Sequence, residues 1–165
     1  MNRPYDDPET VRIRSVERAD LLAVMSIERA SFRQPWPYRA FRRYLDRSGF
    51  LVAVDTDGEG PDGDPVVGFV VSDLIQNYGR PLGHVKDLAV HPDRRGEGIG
   101  SVLLARALAT LSEASSVKLE VRESNEAARN LYRGFGFEPM RQMPRYYDDG
   151  EDAMVMVREQ SPSIR

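Results

Sequence analysis

The sequence predicts an α/β fold: a mixed sheet of about seven strands with four helices, in the order βααββββαβαββ. Three observations lead there. Short β-branched and aromatic runs alternate with apolar stretches of helical period. A glycine-rich segment separates a strand from a helix at 94–100. The 165 residues fit a single core, and no repeat or compositional break divides them.

Val11 to Val16 reads as the first strand, with Val16 out of phase. Leu21, Leu22, Met25, Ile27 and Phe32 recur at roughly helical spacing, which predicts a helix from about Arg18 to Ser31. Pro35-Trp36-Pro37 breaks the chain, and a short helix follows over Tyr38 to Asp46. Phe50 to Asp55 is a strand, and the Gly, Pro and Asp residues of Thr56 to Pro65 form an exposed hairpin loop. Val66 to Leu74 and His84 to Val90 are the next strands. His91-Pro92-Asp93 ends the second, Arg94 to Gly100 is the glycine-rich loop, and Ser101 to Leu111 is a largely apolar helix. Val117 to Arg122 is a strand, and Glu126 to Phe135 is a helix with Ser124 as its N-cap. Met140 to Met143 and Met154 to Val157 complete the sheet around a polar loop. The folded domain should span 11–159, with 1–10 and 160–165 as flexible tails.

Composition excludes several functions. The net charge is −3 and no long basic run occurs, so nucleic-acid and membrane-surface roles gain no electrostatic support. No apolar stretch reaches the ~20 residues of a membrane span. Met1 to Glu9 is polar and unlike a signal peptide, so a cytoplasmic location is expected. Without cysteine there is no disulfide and no thiolate nucleophile, and two histidines are too few for a histidine metal site, so no metal is expected.

In Arg94-Arg95-Gly96-Glu97-Gly98-Ile99-Gly100-Ser101, glycine lets the backbone approach a ligand, and successive N–H groups before a helix make an anion site. Two neighbouring arginines add positive potential, and together they suit a pyrophosphate. The same glycines also serve an ordinary tight turn. A dinucleotide fingerprint finds a carboxylate at Glu120 but serine rather than glycine at 101, and no Gly-Lys-Ser/Thr is present for a nucleoside triphosphate loop.

Arg95-Gly96-Glu97-Gly98-Ile99-Gly100 resembles the coenzyme A signature of the GNAT acetyltransferase superfamily. Leu88-Ala89-Val90-His91-Pro92, Leu119-Glu120-Val121-Arg122-Glu123-Ser124-Asn125, Ala127-Ala128-Arg129-Asn130-Leu131-Tyr132 and Arg145-Tyr146-Tyr147-Asp148-Asp149-Gly150-Glu151-Asp152-Ala153 resemble the ribosomal-protein-alanine (RimI-type) and archaeal N-terminal acetyltransferases. The likeness runs from about Val11 to Glu159.

The resemblance implies a cleft where the strands flanking the loop and its helix splay apart. There acetyl-coenzyme A would lie along Leu88, Ala89 and Val90. Arg95, Gly96, Glu97, Gly98, Ile99, Gly100 and Ser101 would hold its pyrophosphate, mainly through amides, and Asn125 its pantetheine. The same amide stretch near Leu88 to Val90 would stabilise the oxyanion. On the pattern alone Glu120 shares a strand face with Lys118 and Arg122 and reads as a surface carboxylate paired with one of them; the resemblance makes it the general base. Tyr132 stands seven residues after Asn125, on the same helix face. Alone it reads as a core tyrosine; the resemblance makes it the general acid. Phe32, Gln34, Trp36, Tyr146 and Tyr147 would contact the substrate peptide, although Phe32 and Trp36 also suit a core.

The expected activity is acetyl transfer to the N-terminal α-amine of proteins, with ribosomal proteins as the narrower form, by a monomer or weak dimer. Two alternatives remain: a small-molecule amine acetyltransferase, and a non-catalytic coenzyme A-binding regulatory domain. A dehydrogenase fits less well, because the chain is short for a dinucleotide fold.

Overall fold

A computed structural model describes residues 10–58, 60, 63–77 and 79–160. Residues 1–9 and 161–165 of the expected tails, and 59, 61 and 62 of the expected hairpin loop, lie outside the described residues. The elements are β1 (Val11–Ser15), α1 (Leu21–Ser31) after a 3-10 turn at Arg18–Asp20, α2 (Tyr38–Arg42), β2 (Phe50–Asp55), β3 (Val66–Asn77), β4 (Arg80–Val90), α3 (Ile99–Thr110), β5 (Ser116–Arg122), α4 (Glu126–Gly134), β6 (Glu138–Met143) and β7 (Ala153–Glu159). The strand order is β1-β2-β3-β4-β5-β7-β6 in one mixed seven-stranded sheet. The run of strands after α2 holds three members, where the expected order has four. Gly79, at φ +82°, turns the chain sharply, so β3 and β4 run to that turn and extend past the expected 66–74 and 84–90.

The chain forms two compact units, one from the residues up to Asp73 with Asp87–Thr110, the other from Leu74–Lys86 with the residues from Leu111. In the first unit, β1 and β2 pair antiparallel from Val11↔Asp55 to Ser15↔Leu51, and β2 pairs antiparallel with β3. From Val66 to Ser72 every residue of β3 is buried, the pattern of a strand covered on both faces. Leu21, Val24 and Ile27 of α1 join Phe41, Phe50, Val52, Phe69, Val71 and Ala89 in one apolar cluster. Phe41 meets Phe69 edge-on at 5.5 Å, and Trp36 lies 5.3 Å from Phe41. Leu22, expected on the apolar stripe, is 73% exposed; its place is taken by Val24 and, unexpectedly for an acidic residue, by Glu28. Gly68 lets α3 pack onto the sheet: a Cβ there would stand 3.1 Å from Leu103 Cδ1, 3.2 Å from the Ala89 carbonyl and 3.3 Å from Ile99 Cγ2. That contact seats the N-terminus of α3.

In the second unit, β4 pairs parallel with β5 over Leu82–His84 against Ser116–Lys118. β5 then pairs antiparallel with β7 along its whole length, Ser116↔Glu159 to Arg122↔Ala153. Val117, Leu119 and Val121 are buried and their neighbours are not, the alternation of a half-buried strand. The edge strand β6 is almost wholly exposed and bulged between Pro139 and Arg141. Gln160, expected in the loose tail, is tied down: its side-chain amide donates to the carbonyls of Leu111 (3.0 Å) and Ala114 (2.8 Å), and its N–H to that of Ser115 (2.9 Å).

Phe41 is fully buried, so Phe41→Ala is expected to lower the unfolding free energy by about 3–5 kcal/mol. Leu22→Ala at its exposed position should change it by less than ~0.5 kcal/mol. Urea unfolding of both variants checks this.

Candidate active site

The glycine loop belongs to the first unit. Gly96 and Gly98 adopt φ of +83° and +86°, and an added Cβ would meet nothing within 4 Å at either, so glycine is required there by conformation and not by crowding. α3 starts at Ile99, two residues before the expected Ser101, because Gly98 completes the break and its carbonyl takes the Val102 N–H at 3.2 Å. The N–H groups of Ile99, Gly100 and Ser101 are therefore first-turn donors with no acceptor inside the helix. Of the two arginines expected to add positive potential, Arg94 is already engaged by carboxylates. Arg94 donates to Asp55 Oδ2 (2.6 Å) and to both oxygens of Glu97 (3.1 and 2.9 Å), so its charge is met by two carboxylates. Arg95 folds back onto its own chain, with Nε to the Val90 carbonyl and Nη2 to Ser31 Oγ, both 3.2 Å. It braces the loop. Leu88, Ala89 and Val90 end β4, and the Leu88 N–H donates to Asp87 Oδ1 at 3.0 Å.

In the second unit, the alternation of β5 puts Glu120 on the face opposite the core, as expected. Its Oε2 lies 2.7 Å from His84 Nε2, and Lys118 Nζ donates to its Oε1 at 3.3 Å. Partial burial raises the carboxyl's pKa, but the hydrogen bond and charge of His84, with Lys118, outweigh it and hold the group below the ordinary carboxylate range. Glu120 is therefore an ionised acceptor at neutral pH. The partner is His84, and not Lys118 alone. Sequence reasoning missed it because His84 meets β5 only through a parallel register, which no local pattern reveals; its one sequence signal is that the chain has just two histidines.

Asn125 replaces Ser124 as the N-cap of α4, its Oδ1 accepting from the Ala128 N–H at 3.1 Å. The cap needs its acceptor beside the N3 amide, and Asn125 is the residue in the cap position. Tyr132, two turns on, is buried with its ring edge-on to Phe137 at 5.9 Å.

The turn between β6 and β7 is held by carboxylates. Asp152 accepts from the Arg145 N–H (3.0 Å) and Gln142 Nε2 (2.6 Å), fixing Arg145 at φ +51°. Arg122 Nη1 donates to Asp149 Oδ2 (2.8 Å) and Glu151 Oε1 (2.9 Å), and its guanidinium lies 4.0 Å from the centre of the Tyr147 ring. Tyr146 packs edge-on against Tyr147 at 5.0 Å and is 46% exposed, whereas Tyr147 is half-buried. Burial pushes the Tyr147 phenol up to about 12, and the charge of Glu120 raises both tyrosines, so the three groups share one electrostatic neighbourhood. Phe32 and Trp36 pack against the apolar cluster of the first unit, while Gln34 is exposed. Among the described residues no group of three or more His, Asp or Glu side chains could hold a metal ion, and no helix is long and apolar enough to cross a membrane.

Comparison with known proteins identifies the family. The Acetyltransferase (GNAT) family pattern matches residues 21–137. The N-alpha-acetyltransferase RimI of Mycobacterium tuberculosis is 35% identical over 160 residues, 93% of this chain and 95% of that protein. The N-alpha-acetyltransferase of Sulfurisphaera tokodaii is 34% identical, over 88% of this chain and 91% of its own length. The crystal structure of the ribosomal-protein-S18-alanine N-acetyltransferase from Escherichia coli superposes with a TM-score of 0.77 at 26% identity, covering 94% of this chain and 97% of that one.

Acid should loosen the β6–β7 turn first. Bonds from Ser124 and Arg122 hold Glu151 at about 2 against an ordinary 4.5. A carboxyl depressed on folding contributes its stabilisation above the ordinary value and loses it as pH falls toward the folded one. The near-UV circular dichroism of Tyr146 and Tyr147 should therefore fade between these two values, and Glu151→Gln should reduce that dependence.

Proposed function

The chain belongs to the Acetyltransferase (GNAT) family and is an acetyl-coenzyme A-dependent N-acetyltransferase, and from that premise we propose that it acts on the N-terminal α-amine of proteins. The observation that carries the reading is Glu120, ionised, held at 2.7 Å by His84 and sharing its surroundings with Tyr146 and Tyr147. An N-terminal α-amine titrates near ~7.7–8.0, so a carboxylate and an imidazole, acting directly or through water, suffice to take its proton. A lysine amine, near ~10.4, asks for more.

The residues present fit coenzyme A. The exposed loop at Gly96 and Gly98 and the open N–H groups of Ile99, Gly100 and Ser101 suit a pyrophosphate, and the pairing of Arg94 leaves this work to backbone amides. Leu88, Ala89 and Val90 would align the pantetheine through their backbone. Asn125, with Oδ1 committed to its helix cap, would donate its amide N–H to it. The bound cosubstrate supplies the thioester that the amine attacks. Glu120 with His84 takes the amine's proton, and Tyr132 returns one to the departing thiolate. Tyr146 and Tyr147, fixed by Arg122, contact the peptide's first residues, as do Phe32, Gln34 and Trp36. Ribosomal proteins are the narrower substrate class, after the enzyme from Escherichia coli.

Peptides beginning with Ser, Ala, Thr or Met and differing only at that residue are expected to be turned over through the free α-amine, with little transfer to an α-blocked lysine peptide. Glu120→Gln should lower kcat by roughly 10²-fold or more without weakening coenzyme A binding, and Tyr132→Phe should act in the same direction. The ascending limb of the pH–rate profile should follow the pKa of the peptide's amine, because Glu120 is already ionised. Full activity in both variants, or preference for the lysine peptide, would contradict the assignment.

A further inference from the structure

Glu28 occupies the buried stripe of α1, where an apolar residue belongs, and is 1% exposed. Its Oε2 accepts the backbone N–H of Trp36 at 2.8 Å. Its Oε1 is buried with no donor, and so is Oδ2 of Asp87. The two carboxyls interact with each other with no donor between them, while Asp87 Oδ1 takes the Leu88 N–H at 3.0 Å. Two facing carboxylates cannot both ionise in such a place, and a proton on one oxygen supplies the donor that both lack. Desolvation and the partner carboxyl raise Asp87 well above the ordinary range, and burial raises Glu28. Their remaining oxygens accept from the N–H groups of Trp36 and Leu88.

We propose that Glu28 and Asp87 share a single proton and act as a positioning pair, clamping the Phe32–Trp36 segment to the end of β4 in the geometry that receives the substrate peptide. The inference rests on the reading of that segment as peptide-contacting. Glu28 holds the segment through Trp36, and Asp87 joins that hold to Leu88, the first of the β4 residues assigned to the cosubstrate. A carboxyl held above its ordinary value binds its proton more tightly in the folded chain. The clamp therefore holds while the pair keeps its proton and is lost as rising pH removes it, leaving two buried like charges.

Trp36 is the only tryptophan in the chain, so its fluorescence reads the clamp without catalysis. In the 165-residue chain, emission is expected to shift to the red and the peptide KM to rise as pH is raised above the ordinary carboxylate range and the shared proton is lost, while the Kd for coenzyme A stays constant. Glu28→Gln keeps both bonds, its carbonyl accepting from Trp36 and its amide donating to Asp87. Asp87→Asn keeps them in mirror image. Each single variant should retain the KM of the clamped protein and lose the pH dependence. The double variant sets two amide donors against each other, and its emission should be red-shifted at every pH, with a KM roughly tenfold higher at little change in kcat. Emission that stays fixed in the unaltered protein, or single variants that titrate as it does, would overturn the clamp, and these two readings stand even if the double variant fails to fold. A double variant that folds and matches the singles would overturn it as well. Failure of the functional reading looks different: no peptide is turned over while the emission pattern persists.

Discussion

Strand β5 buries Val117, Leu119 and Val121, and this alternation commits Lys118, Glu120 and Arg122 to the opposite face. The ladder with β7 pins it from Ser116↔Glu159 to Arg122↔Ala153, since a slip by one residue would put charge into the core and apolar groups outside. From that constraint follow the meeting of Glu120 with His84, through the parallel step His84↔Lys118, and the reach of Arg122 to Asp149, Glu151 and the Tyr147 ring. The candidate catalytic carboxylate and the anchor of the tyrosine turn are thus fixed by the same hydrophobic pattern.

The first unit solves a different problem by different means. An anion site built on two arginines would hold long side chains that must be ordered on binding. Here Asp55 and Glu97 engage Arg94, and Arg95 is drawn back to Val90 and Ser31, so both side chains serve to set the loop's shape. What the loop presents is backbone, at the two positive-φ glycines and the first turn of α3, seated on the sheet through Gly68. Backbone donors need no reorganisation when a phosphate arrives.

Much of this was legible in the residues. Phe50–Asp55 is the strand that its apolar run predicts, and the face of Glu120 follows from period two. The family motifs named the class of enzyme. What escaped depends on distant parts of the chain. His84 meets Glu120 across 36 positions, and Arg94 meets Asp55 across 39. Glu28 looks like one more charged residue of an amphipathic helix until Asp87 is brought to it. Asn125 and Ser124 are both good caps by type, and backbone geometry chooses between them. Gln160 reads as tail because its partners are carbonyls at the end of α3 and beyond, which carry no sequence signature.

The outer strand β6 has a consequence for life in a crowded solution. An edge strand offers unpaired backbone groups to any extended chain that drifts past. Here the offer is spoiled: Pro139 brings no N–H, the bulge between Pro139 and Arg141 breaks the repeat, and exposed Glu138 and Arg141 would have to be stripped of water by a newcomer. An enzyme proposed to handle unfolded N-termini meets loose chain ends constantly, and this border keeps them from joining its sheet.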